Sequence, residues 1–143
     1  MSSAIAPETL RVLVVDDEMV VLAFAERALR SAGYEVVVAS DGPEALRLVE
    51  AQPQPFDLFV VDVVMPQMRG DELGRRLRQQ DPDVKVLYFT GFSDRLFESR
   101  WTLWEHEAFL EKPVMVTGLL EAVSLMLFGH TNGPGAGRPS TAA

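Results

Sequence analysis

No cysteine occurs in the 143 residues, so no disulfide can staple this chain, and its absence fits a reducing compartment. Basic residues are in short supply: 13 Lys and Arg stand against 21 Asp and Glu, a net charge of −8. Proteins that grip nucleic acid carry a basic patch, and this balance argues against one. No apolar run approaches the ~20 residues that a membrane-spanning helix requires. Met1 to Thr9 contains neither Lys nor Arg and no long apolar core, so it does not read as a secretory signal. The expectation is a soluble, cytoplasmic protein with no nucleic-acid or membrane partner. Histidine is scarce as well; His106 reads as a loop or interface residue and His130 as part of a tail. No internal repeat is visible.

What the chain does have is apolar material, 48% of its residues, enough for one domain with its own core. Short apolar runs end in a distinctive way. Arg11 to Val15 is followed by Asp16-Asp17-Glu18, and Leu58 to Val61 by Asp62. Val84 to Phe89 is followed by Thr90, and Ala108 to Glu111 by Lys112-Pro113. With Tyr34 to Ala39, these segments read as five strands, too continuously apolar for a sheet with a wet face.

Helical periodicity falls between them. Met19 to Ser31 places Val21, Leu22, Ala25, Ala28 and Leu29 on one face, with Gly33 as a left-handed cap. Pro43 to Ala51 has Pro43 in its first turn. Gln52-Pro53-Gln54-Pro55 reads as a loop. A third helix runs from Asp71 to Gln80, stopped by Asp81-Pro82. A fourth is expected from Asp94 to about Trp104, capped by Ser93 or Asp94, and a last from Thr117 to Phe128. Residues 1–9 form a loose arm and 10–128 one domain. Residues 129–143, rich in Gly, Pro, Ser, Thr and Ala, read as a disordered tail. Alternating strands and helices give an α/β doubly wound, flavodoxin-like (βα)5 sheet with five parallel strands in the order 2-1-3-4-5.

In such a sheet, ligands bind beyond the carboxyl ends of the strands, where the order reverses. Asp16, Asp17 and Asp62 then crowd together, with Thr90 and Lys112 nearby. Close carboxylates repel, and a hard divalent cation relieves them; Mg²⁺ suits a few carboxylates combined with phosphate oxygens. Lys112 supplies a compact positive charge and Thr90 a hydroxyl donor. These are the positioning and charge-neutralising parts of phosphoryl transfer, leaving Asp62 as a carboxylate nucleophile. Singly, each signal is ordinary: acids after a strand also suit a helix N-terminus, and a lone Asp suits a turn. The conjunction, each at a strand's carboxyl end, is what points to a site.

Four blocks resemble the receiver domain of bacterial two-component response regulators. They are Val14-Val15-Asp16-Asp17-Glu18; Asp62-Val63-Val64-Met65-Pro66-Gln67-Met68-Arg69-Gly70-Asp71-Glu72-Leu73; Phe89-Thr90-Gly91; and Phe109-Leu110-Glu111-Lys112-Pro113. The resemblance spans about Leu10 to Phe128 and implies these roles. Asp62 is the phosphoacceptor, served by a histidine kinase or histidine phosphotransfer protein. Asp17, Asp62 and the Val64 backbone carbonyl bind Mg²⁺ (or Mn²⁺), and Asp16 holds a metal-bound water. Thr90 and Lys112 bind phosphoryl oxygens, Phe109 is the switch aromatic, and Lys112–Pro113 is a cis peptide. The surface of the fourth helix, last strand and last helix changes shape to signal to a downstream partner, and homodimers can form through it. The implied protein is a phosphorylatable signalling domain rather than an enzyme.

The chain departs from the family at several points. Glu105 and His106 stand where the family usually has Gly-Ala, removing the glycine cap after the fourth helix. Phe97, Trp101 and Trp104, spaced i, i+4, i+7, either cover the sheet or form a partner surface. Val64 and Phe92 follow Asp62 and Thr90 by two residues; apolar side chains there cannot orient an attacking water, so slow self-dephosphorylation is expected. The residues leave three other readings open. The chain could be the receiver segment of a hybrid histidine kinase, which Leu87-Tyr88-Phe89-Thr90-Gly91-Phe92-Ser93-Asp94 resembles; the Met1-Ser2-Ser3 start and the tail favour a stand-alone chain. An aspartyl-phosphate phosphatase wants a second acid two residues after the nucleophile, where this chain has Val64. A flavin-binding domain wants a Ser/Thr/Gly-rich loop after the first strand, where this chain is acidic.

Overall fold

The computed structural model describes residues 9–51, 54–91 and 106–129. Residues 1–8 of the expected arm, the fourth helix with Phe97, Trp101 and Trp104, Phe92, part of the proline loop and residues 130–143 of the tail, His130 among them, lie outside the described residues. Among the described residues the order is β1 (Arg11–Val15), α1 (Met19–Ser31), β2 (Glu35–Ala39), α2 (Gly42–Ala51), β3 (Leu58–Asp62), α3 (Gly70–Gln80), β4 (Val86–Thr90), β5 (Glu107–Glu111) and α4 (Val116–Phe128). The strands form one parallel sheet in the order β2-β1-β3-β4-β5, the order expected from the sequence.

Central strands β1, β3 and β4 are buried throughout, because helices cover both faces of the sheet. Alternate residues serve opposite faces. Val12, Val14, Val60, Leu87 and Phe89 pack with Leu22, Ala25 and Leu29 of α1 and with Leu119 and Val123 of α4. Leu13, Val15, Phe59, Val61 and Tyr88 face Ala45 of α2 and Leu73 and Leu77 of α3. Each such aliphatic side chain contributes roughly 1.5–3 kcal/mol relative to exposure. At the amino edge, buried Arg11 donates to the Gln54 carbonyl at 2.6 Å and lies over the Phe56 ring, 4.4 Å from its centre. No helix among the described residues is long and apolar enough to cross a membrane.

Several boundaries differ from the sequence reading. β4 begins at Val86, not Val84, because Val84 is held in a turn by its amide bond to the Asp81 carbonyl (3.0 Å). Tyr34 is not in β2; its amide closes the end of α1 on the Leu29 carbonyl, and Gly33 has φ 98° as the expected left-handed cap. α4 starts at Val116 with Met115 as N-cap and no side-chain cap bond, so Thr117 does not begin it. α2 and α3 each start one residue earlier, at Gly42 and Gly70. β3 extends through Asp62, and β5 starts at Glu107. Met65, in the loop after β3, is buried in the core.

Candidate functional site

The site is assembled from loops and strand ends at the carboxyl edge of the sheet. β1 and β3 are direct neighbours, paired Val15 to Val61, so the residues that follow them emerge side by side. Asp62 in turn pairs with Phe89 on β4, which places Thr90 one step beyond it. Thr90 pairs with Glu111 on β5, and its carbonyl accepts the Lys112 amide at 2.7 Å. Four distant stretches of chain are thereby brought to one place.

Asp16, Asp17 and Asp62 each offer a carboxylate oxygen within 4.8 Å of the other two. Asp16 and Asp62 are buried, while Asp17 is exposed. The Lys112 ammonium lies 3.1 Å from Asp62 Oδ1, 3.9 Å from Asp16 Oδ2 and 4.0 Å from Glu18 Oε1. Lys112 therefore forms a direct ion pair with Asp62 and only a longer-range one with the others. Asp16 Oδ1 accepts the Glu18 amide at 2.9 Å, but Asp16 Oδ2 is buried without a hydrogen-bond donor. A buried carboxylate oxygen lacking a donor is costly, and one closely flanked by two further acids is a fit for a hard cation.

The electrostatics agree with the geometry. Burial, then the neighbouring Asp16 charge, pushes the Asp62 carboxyl up to about 7, although its Lys112 hydrogen bond works the other way. Burial also raises Asp16, opposed by the Glu18 amide. For Lys112, burial favours the neutral amine, but its bond to Asp62 and the surrounding carboxylates outweigh that and raise its pKa. The pocket thus holds more negative charge than one ammonium comfortably neutralises.

Val64 follows β3 in the same loop, with its side chain about half exposed. Phe109 is partly buried on β5, with its ring centre 5.7 Å from that of Tyr88. The Lys112–Pro113 bond is cis. Phe97, Trp101 and Trp104 fall outside the described residues. Among the described residues, the structure adds groups that the sequence reading did not single out. Glu18 reaches toward Lys112. Gly70 packs against the backbone of Asp62, and its amide donates to the Val63 carbonyl at 2.8 Å. Glu107 takes Arg78 and Tyr88 on one buried oxygen. Only an acid opening an otherwise apolar strand hinted at the last.

The sequence matches the profile of the response regulator receiver domain over residues 12–124. It is 39% identical over 116 residues to the sensor kinase CckA of Brucella abortus, an alignment covering 81% of this chain and 12% of the kinase. It is 33% identical over 117 residues to the response regulator receiver protein CpdR of the same organism, covering 82% of this chain and 96% of CpdR. The crystal structure of a response regulator receiver protein from Sinorhizobium medicae superposes with a TM-score of 0.74 at 28% identity, covering 85% of this chain and 97% of that one. The chain therefore spans a small part of one relative and nearly all of another.

Proposed function

The chain belongs to the response regulator receiver domain family of two-component signalling, and from that premise we propose that it accepts a phosphoryl group on Asp62 from a phosphohistidine donor. The observation that carries this reading is the Lys112 ammonium 3.1 Å from Asp62, in a pocket where three carboxylates converge. Asp17, Asp62 and the Val64 carbonyl would hold Mg²⁺ (or Mn²⁺), with Asp16 acting on a bound water; the ion supplies neutralisation of carboxylate and phosphoryl charge.

In the transfer, an Asp62 oxygen forms a bond to phosphorus as the phosphorus–nitrogen bond of the donor breaks. The imidazole leaves with that electron pair and takes up a proton. Lys112 turns from Asp62 to a phosphoryl oxygen, and the Thr90 hydroxyl donates to another. The added charge of about −1.5 to −2 beside Lys112 biases a two-state element. Thr90 moves toward the phosphoryl group, Phe109 fills the space it leaves, and the surface carrying β5 and α4 is read by a downstream protein. Self-association through that surface is one form the output could take. The function is signalling, with at most self-phosphorylation from small donors and slow self-dephosphorylation.

The donor is a histidine kinase or histidine phosphotransfer protein. Exposed Met19 and Val20 on α1, Val64 after β3 and Met115 after β5 lie at the same end of the sheet as the acids. An apolar rim around a charged centre suits a protein partner better than a small substrate. Similarity to a segment of CckA supports a second reading, in which this receiver works within a hybrid kinase. The chemistry at Asp62 is the same in both.

The test is incubation with acetyl phosphate and Mg²⁺, followed by mass spectrometric location of the phosphoryl adduct. The adduct is expected on Asp62 and lost in Asp62→Asn. Labelling of Asp62→Asn at the wild-type level refutes the assignment.

A further inference from the structure

Beneath the site, β4 carries a tyrosine that phosphoryl chemistry does not use. Tyr88 is fully buried and lies two residues before Thr90, on the same sheet face. Its hydroxyl donates to Glu107 Oε2 at 3.0 Å. The same oxygen takes Arg78 Nη1 at 2.6 Å, and the Glu107 side chain is only 2% exposed. Burial, then the Glu107 charge, pushes the Tyr88 phenol far above its ordinary value, so it stays a donor. A side chain at Gly74 would collide with the Tyr88 hydroxyl. The phenol end is therefore seated between α3 and the start of β5, held by a charge-assisted bond.

The ring itself meets Phe109. Tyr88 and Phe109 are register partners across β4 and β5, and their rings are tilted by 41° with centres 5.7 Å apart. Thr90, two residues further along β4, is buried at the end of the strand, next to the Phe89 that pairs with Asp62. A Phe109 ring moving toward Thr90 must slide along Tyr88, and Tyr88 cannot follow without giving up its buried acceptor.

We propose that Tyr88, anchored by Glu107 and Arg78, is a positioning residue that gives Phe109 a fixed wall to pack against and so couples occupancy of Asp62 to α3 and β5. The proposal rests on the reading of Asp62 as phosphoacceptor and assigns that switch its anchor. A tethered ring pre-organises the place where Phe109 lodges, so cutting the tether adds an ordering cost to phosphoryl binding.

The experiment is calorimetric titration of the full chain with beryllofluoride in saturating Mg²⁺. It compares wild type, Tyr88→Phe, Phe109→Ala and the double variant, with urea unfolding run beside it. Tyr88→Phe is expected to weaken binding about three- to tenfold in the wild-type background and to have an effect below about 1.5-fold when Phe109 is Ala. Equal weakening in both backgrounds overturns the proposal, as does a lower unfolding midpoint with unchanged affinity, which marks a purely structural role. Glu107→Gln keeps an acceptor of the same shape but removes the charge that strengthens the Tyr88 bond, and carries the same test should Tyr88→Phe not fold. Absence of beryllofluoride binding by wild type sinks the Asp62 reading itself, and this proposal with it. Normal wild-type binding without coupling sinks only the proposal.

Discussion

Gly70 lies so close to Asp62 that a methyl group on it would drive into the Asp62 carbonyl oxygen. The Gly70 amide is bonded to the next carbonyl, Val63, at 2.8 Å. The first turn of α3 is thus clamped against the end of β3, and the clamp sets where the Asp62 side chain emerges. The obstacle is backbone, which cannot swing aside as a flexible side chain does. Gly70→Ala should therefore cost about 2–3 kcal/mol of stability and displace Asp62 from Lys112. Urea unfolding and acetyl phosphate labelling check both; an unchanged midpoint with full labelling would contradict the clamp.

Acid–base linkage at Asp62 gives a second expectation, for protein kept metal-free with chelator. Its folded-state pKa of about 7 lies above the ordinary 3.8. Between those values the folded protein binds more protons than the unfolded one, so this group's contribution to stability falls as pH rises from about 4 to 7 and stays low above that. The full shift corresponds to about 4 kcal/mol as an upper figure. Two consequences follow at pH 8. Asp62→Asn should be more stable than wild type by about 1–3 kcal/mol, and Mg²⁺ should raise the wild-type melting temperature. At pH 5 both effects should shrink. Thermal unfolding across pH, with and without Mg²⁺, decides it; a Mg²⁺ effect that grows as pH falls would contradict the account.

If Asp62 carries a phosphoryl group, the lifetime of that group depends on what stands beside it. The half-exposed Val64 side chain offers no hydrogen bond to an incoming water. Val64→Asn should shorten the lifetime of phosphorylated Asp62 by about threefold or more, equivalent to roughly 0.7 kcal/mol of barrier. Loss of label followed over time after donor removal measures it. A lifetime unchanged by that substitution and by Phe92→Glu would remove the explanation.

His106 adopts φ 72°, a left-handed conformation, immediately before β5, and its carbonyl accepts the Val86 amide at 3.0 Å. The family usually has Gly-Ala at Glu105 and His106. His106→Gly should leave stability unchanged or raise it by up to about 1 kcal/mol, because glycine adopts positive φ without steric cost. His106→Val, with branching at Cβ, should lower it by about 1–2 kcal/mol. Chemical denaturation of the pair gives the comparison, and equal stabilities would argue against strain at this residue.

Much of the fold could be read without coordinates because its signals are local. The apolar strand runs, the Gly33 cap and the spacing of Leu22, Ala25 and Leu29 each depend on near neighbours in the chain. Boundaries were read less well where a turn competed with a strand, as at Val84, or where no side chain capped the helix, as at Val116. The acids, Thr90 and Lys112 were legible through their shared place at strand ends.

Sequence alone determined the alternation of elements, the burial of both sheet faces and the set of polar groups delivered to the carboxyl edge, because periodicity and strand ends are properties of consecutive residues. Tertiary structure alone decided that Lys112 pairs directly with Asp62 rather than Asp16, that Asp16 keeps a buried oxygen without a donor, and that Tyr88, Glu107 and Arg78 meet. Those outcomes depend on distances of a few ångströms between residues far apart in the chain, which strand register and helix packing set and no local pattern encodes.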